Sequence, residues 1–253
     1  MVTHAPFRRI DSLADAPDDT YRTIVKQFLE SQAYREWTAA ELMGHCVKFA
    51  PDLRLRKLVA EECTEELEHY ESVVQLYRKE FQRDVTEVVQ ERLAADPGIV
   101  PMPASWLETV MSLFLNDRAG GKHLAEYKDC SYRPYSEMVG KILEEEAGHE
   151  GFGEWALKKL VTDDASRAEA QQLFDKWLTI SMRSFGRPYT EGNKYAVEHG
   201  LKQRQSDEVM KEYVEDIKPT MRAVGLKFPP AEQIGLELPT DIDFVILSEA
   251  KNP

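Results

Sequence analysis

A chain of 253 residues with 32 Lys and Arg against 45 Asp and Glu carries a net charge of −13, which disfavours nucleic acid and anionic membrane surfaces as main partners. Its three cysteines, Cys46, Cys63 and Cys130, are too few and too scattered for a disulfide framework or a paired-cysteine metal site. No apolar run approaches the roughly 18 residues of a membrane span, and the opening "MVTHAPFRRIDSLADAPDD" lacks the apolar stretch of a signal peptide. The expectation is therefore a cytoplasmic chain that does not enter a membrane.

Taken in order, the periodicity is helical almost throughout. Residues 1–18 read as an N-terminal arm. Pro17 and Asp18 open a first long helix, "DDTYRTIVKQFLESQAYREWTAAELMGHCVKF", and Pro51 and Asp52 open a second, "DLRLRKLVAEECTEELEHYESVVQLYRKEF". A break follows at "AADPGIVPMPAS", rich in proline and small residues. Ser105 is the expected cap of a third helix, "WLETVMSLFLNDRAGGKHLAEYKDC". The chain turns at "SYRPY" into a fourth, which runs through "KILEEEAGHEGFGEWAL" to about Leu160. Asp163 and Asp164 cap a fifth, stopped by Gly186 and Pro188. Two shorter helices follow, the last ending near Gly225, and an extended tail begins at about Lys227. The alternating pattern of a strand is missing. The expectation is one all-α domain: a four-helix core over 19–161, accessory helices over 162–226 and a tail over 227–253.

The fourth segment poses a question, because "EEEAGHE" places acids and a histidine in the middle of an amphipathic helix. Glu146 and His149 are three apart and share a face. The second helix repeats the pair as Glu66 and His69 in "EELEH". Each unit is preceded, one helix earlier, by an acid in an apolar stretch. These are Glu41, 25 residues before Glu66 (66 − 41), and Asp117, 29 before Glu146 (146 − 117). A helical hairpin brings residues at such separations level, since roughly 13 residues up and 13 down return the chain to one height. Glu108 and Glu126 are alternatives to Asp117 on the third helix, although Asp117 lies beside the apolar stripe of Leu113, Phe114 and Ala119. The sequence of acid, ExxH, acid, ExxH is the ligand pattern of ferritin-like di-metal bundles, with one aspartate in place of a glutamate. Four carboxylates and two neutral imidazoles suit iron or manganese. His45, four after Glu41, reads as a core or surface residue. Cys63, three before Glu66, reads as a small buried hydrophobe. No glycine-rich phosphate loop or Ser-His-Asp arrangement is present.

On "APDLRLRKLVAEECTEELEH", "DRAG", "CSYRPYSEMVGKILEEEAGH" and "FDKWLTISMRSFGRP", the chain resembles the catalytic A subunits of ring-1,2-phenylacetyl-CoA epoxidases from about Tyr21 to Pro230. The resemblance implies a ferritin-like four-helix bundle with additional C-terminal helices. It also implies two iron ions on Glu41, Glu66, His69, Asp117, Glu146 and His149. The implied activity is dioxygen-dependent monooxygenation that epoxidises or hydroxylates an aromatic acyl-CoA such as phenylacetyl-CoA. An external reductase would supply electrons, and a related non-catalytic helical-bundle subunit would act as scaffold. The alternative is a ferritin-like di-metal oxidase or oxygenase for a non-CoA substrate. A basic cluster at the start of the second helix, Arg54, Arg56 and Lys57, stands roughly 14 to 18 Å along the axis from Glu66 and His69 at about 1.5 Å per residue. It is the expected seat for the phosphates of a CoA thioester.

Overall fold

Short polar side chains before apolar-periodic runs set the helix starts. Asp18 accepts a hydrogen bond from the Tyr21 amide at 2.9 Å and starts α1 (Asp19–Cys46). Asp52 does the same for the Leu55 amide and starts α2 (Leu53–Phe81). Each satisfies one of the amides a helix N-terminus leaves without a partner. The computed structural model describes residues 7–95, 101–146 and 149–230, the side chains of His149 and Glu150 excepted. Beyond α1 and α2 these contain α3 (Val85–Ala95), α4 (Trp106–Ala125), α5 (Arg133–Glu146), α6 (His149–Leu160), α7 (Asp164–Arg183), α8 (Glu191–Glu198) and α9 (Ser206–Ala223). Among the described residues there is no strand, only an isolated bridge between Ile10 and Tyr132. The fold is all-α and of the ferritin-like bundle class.

Several expected boundaries hold. Asp163 and Ser166 form a reciprocal capping box at the start of α7. After α7 the chain takes a left-handed conformation at Gly186 (φ 73°), and after α9 it does so at Gly225 (φ 73°). One element differs from expectation. α3 is an additional helix: Gln82 turns left-handed (φ 54°) and ends α2, and Asp84 accepts from the Thr86 amide to start again. α5 and α6 both lie within the expected fourth helix, residues 147 and 148 between them being outside the described residues. The tail from Lys227 falls largely on 231–253, outside the described residues.

The helices gather into two compact units, each assembled from three separate stretches. The first comprises Met1–Trp106, Glu126–Ile142 and Glu191–Gln203; the second comprises Leu107–Ala125, Leu143–Thr190 and Arg204–Pro253. The partition is one by packing, whereas the expected core, accessory helices and tail divide the chain by sequence.

In the first unit α1 packs against α2 along its length, and α3 and α8 also lie on α1. Val25, Leu29, Ala33, Val59, Val73 and Tyr77 are fully or almost fully buried in its core. Arg92 of α3 sits over the Tyr34 ring of α1, 3.9 Å from its centroid. The N-terminal arm is tied down by Ile10, which donates to and accepts from the chain at Ser131 and Arg133, 2.9 Å each way.

In the second unit α4, α6, α7 and α9 bury Phe114, Leu115, Leu157, Phe174, Trp177, Tyr213 and Ile217. Two buried polar features hold these helices. Glu108 of α4 accepts from Trp177 Nε1 at 3.1 Å and from Lys176 Nζ at 2.6 Å. Arg118 of α4, 9% exposed, pairs with Glu154 of α6 and with Asp216 of α9, the latter at 2.9 Å. Gly153 of α6 meets α4 so closely that a Cβ there would stand 2.8 Å from the backbone N and Cα of Phe114.

The Arg118 network gives a pH prediction. The Glu154 carboxyl lies below its ordinary value of 4.5, chiefly because Lys158 donates to it at 2.5 Å, with Thr220 and Arg118 adding to the effect. A carboxyl lowered by folding adds stability above its unfolded value and loses it as pH falls through the folded one. Glu154→Gln is therefore expected to lower the melting temperature at pH 7. The gap to wild type should close steadily below about pH 4.5, as carboxylates protonate. Melting curves from pH 7 to 3 check this, and a gap independent of pH would contradict it.

Candidate metal centre

Helical spacing decides which acid of α1 faces α2. The buried positions of α1 include Val25, Leu29, Gln32, Ala33, Glu36, Ala40 and Met43, a stripe with steps of three and four. Glu36 lies on that stripe and is 5% exposed. On α2 the stripe runs through Val59, Glu62, His69 and Val73, with Glu66 half-buried beside it. The α1–α2 hairpin thus brings Glu36, Glu66 and His69 together, with one ligand atom from each lying within 4.8 Å of the others.

Glu41 is placed otherwise. It is exposed, and its carboxylate accepts from Trp37 Nε1 at 2.9 Å. It stands five residues from Glu36, about 140° around the helix at 100° per residue. The structure therefore puts Glu36, not Glu41, beside Glu66 and His69. The expectation for Glu41 came from its neighbours in sequence, Ala39, Ala40, Leu42 and Met43, which do not all share its face.

The geometry suits a bound ion. His69 is 3% exposed, and its Nδ1 lies 3.8 Å from a carboxylate oxygen of Glu36 and 3.8 Å from one of Glu66. That is too long for a hydrogen bond, yet it is the spacing of donors that share an ion about 2 Å from each. Burial, and then the adjacent Glu66 carboxylate, raise the Glu36 carboxyl well above the usual range, while His69 and Gln32 act in the other direction. Two carboxylates crowded out of water favour a cation between them. Oxygen and imidazole donors fit iron or manganese.

The other expected ligands all belong to the second unit. Asp117 is half-buried in the middle of α4, and Glu146 is half-buried as the last residue of α5. His149 opens α6, its side chain outside the described residues. The rivals of Asp117 are both buried: Glu108 is committed to Lys176 and Trp177, and Glu126, 1% exposed, lies just beyond α4 in the first unit.

His45 Nε2 makes a hydrogen bond of 2.9 Å with the Pro103 carbonyl, and its ring lies against Phe49. Cys63 donates to the Ala40 carbonyl at 3.3 Å, and none of the three cysteines is in a disulfide. Arg54, Arg56 and Lys57 are exposed at the start of α2, with Arg56 Nε donating to the Ala50 carbonyl at 3.1 Å. Among the described residues no helix is long and apolar enough to cross a membrane.

An all-α chain that brings two glutamates and a histidine of an ExxH pair into one cluster has the donor types that carboxylate–histidine metal-site bundles use. More particularly, the chain belongs to the phenylacetic acid catabolic protein family, which it matches over residues 10–237. It is also similar to the benzoyl-CoA oxygenase component B of Aromatoleum evansii, at 26% identity over 195 residues. That match takes in 69% of this chain and 41% of the relative, so the chain spans less than half the relative's length.

Proposed function

We propose that the chain is the oxygen-activating subunit of a multicomponent oxygenase acting on an aromatic acyl-CoA. The observation that carries this reading is the Glu36–Glu66–His69 cluster in a chain of this family. The relative's name, a component of a benzoyl-CoA oxygenase, supports both the thioester substrate and the need for partners. Two ligand sets are assigned, one in each unit: Glu36, Glu66 and His69 in the first, and Asp117, Glu146 and His149 in the second. The first set would hold one ion and the second set is proposed for another, iron being favoured over manganese.

Iron held by these residues would supply dioxygen-activating chemistry, in which two electrons from an external reductase and two protons let one oxygen atom enter the aromatic ring while the other leaves as water. The chain's own contribution is to keep the ligands desolvated and charge-matched. His69 offers a buried ring nitrogen, and Glu36 a carboxylate confined to one face of α1. Glu66 is the most exposed of the three, its side chain 14% exposed. Arg54, Arg56 and Lys57 are assigned to the CoA phosphates. A related non-catalytic bundle subunit is assigned as scaffold.

The test is a single-turnover experiment. Iron-loaded, chemically reduced protein is mixed with ¹⁸O₂ and either benzoyl-CoA, phenylacetyl-CoA or the free acids, and products are read by mass spectrometry. Label is expected in a thioester product. The combined Arg54→Ala, Arg56→Ala and Lys57→Ala variant is expected to bind the thioester about tenfold more weakly, as loss of charge-assisted phosphate contacts requires. Label in free acids alone would transfer the function to a non-CoA substrate. No label in any compound would overturn the reading.

A further inference from the structure

Gln32 lies one turn before Glu36 on the buried stripe of α1 and is 4% exposed. A primary amide out of water needs partners, and here its nitrogen donates to Oε1 of Glu36. A carboxylate only accepts, so the NH₂ end of the amide must be the end that faces it. The other oxygen of Glu36, Oε2, is the one 3.8 Å from His69 Nδ1. The two oxygens of one carboxylate are thus divided: one is occupied by an amide of its own helix, and the other is directed at the cluster.

We infer that Gln32 is a positioning residue that sets Glu36 as a one-oxygen ligand. This rests on the metal reading proposed above. Without the amide the carboxylate can rotate about its terminal torsion, which is soft and roughly two-fold, and offer either oxygen or both. Holding it in one orientation spares the bound state that loss of freedom. Partners placed behind metal ligands in this way contribute about 10- to 100-fold in affinity. The amide is neutral, so it orients Glu36 without cancelling the negative charge that attracts a cation. An arginine or lysine at position 32 would cancel it.

The experiment uses the full-length protein freed of metal by a chelator and titrated with Co²⁺ as a coloured probe. Gln32→Leu removes the amide at similar bulk. It is expected to weaken one Co²⁺ site about 10- to 100-fold and to shift that site's visible absorption bands. The unliganded variant should melt somewhat lower than wild type, because Oε1 of Glu36 loses its buried donor. A merely structural role would lower that melting temperature equally but leave the Co²⁺ affinity and the bands unmoved. Wild-type affinity and wild-type bands in Gln32→Leu would overturn the inference. Glu36→Gln separates the two levels. If it abolishes a site that Gln32→Leu leaves intact, only the role of Gln32 falls. If wild type binds no Co²⁺, the metal reading falls and this inference with it.

Discussion

Glu36→Gln is expected to purify with about one metal ion per chain fewer than wild type, while Glu41→Gln purifies with the full complement. Glutamine preserves the size of the side chain and removes its charge, so the substitution asks only whether a carboxylate is needed. At Glu36 it is needed, because the cluster there consists of two carboxylates and one imidazole drawn out of water. Losing one of three donors together with half the negative charge removes most of the attraction for a divalent ion. At Glu41 the carboxylate is exposed and engaged by Trp37, and a glutamine carbonyl there can still accept that bond, so little is lost. Elemental analysis of both variants, each confirmed as helical by circular dichroism, makes the comparison. Equal metal in the two would show that the face of α1 has been misassigned.

A second large effect is expected from a single methyl group. Gly153→Ala places a carbon 2.8 Å from the backbone N and Cα of Phe114, and backbone cannot step aside as a flexible side chain can. α6 must move off α4, disturbing the tightly packed contacts around Phe114 and Leu157. Overpacking of this kind costs about 1 to 3 kcal/mol, against which alanine returns up to about 1 kcal/mol of helix propensity. The net result is a melting temperature lower by several degrees, at about 2 to 4 °C per kcal/mol for a chain of this size. Gly140→Ala is the control: the same change within α5, where a Cβ meets nothing within 4 Å, should leave stability equal or slightly raised. The position also bears on metal, since His149 lies one turn before Gly153 on α6 and Asp117 three residues after Phe114 on α4. Gly153→Ala should therefore lose part of the second ion as well as stability. A Gly153→Ala protein as stable as Gly140→Ala would contradict the close approach.

How much of this was legible in the sequence depended on whether the signal was local. Helix starts at Asp18, Asp52 and Asp163 were legible because a cap is a contact between residues three apart. Stops at Gly186 and Gly225 were legible because left-handed backbone selects glycine. α3 was missed because its 11 residues run directly into the proline-rich break, and the polar "QRD" before it was not read as a turn. The Glu66–His69 pair was legible from its spacing of three. Glu36 was not chosen because the acid of α1 was judged by the apolar company on either side of it in the chain. Reading the stripe at steps of three and four from Leu29 through Gln32 leads to Glu36 and passes Glu41 by. That signal was present in the sequence, and Gln32, a lone amide on an otherwise apolar stripe, was part of it. The division into two units had no such signal, since it depends on contacts between stretches far apart along the chain.

That division constrains how the protein comes into being on the ribosome. The first unit needs residues 191–203 and the second needs 204–230, so neither can close while the chain is half made. Synthesis at about 5 to 20 residues per second leaves the α1–α2 hairpin waiting some seconds for its last neighbour. During that interval Glu36, Glu66 and His69 can meet, because they are joined by one short turn, while Asp117 and His149 still lack the helices that pack around them. The duplicated ligand pattern would thus be filled in order of synthesis, with the N-terminal set available to metal first.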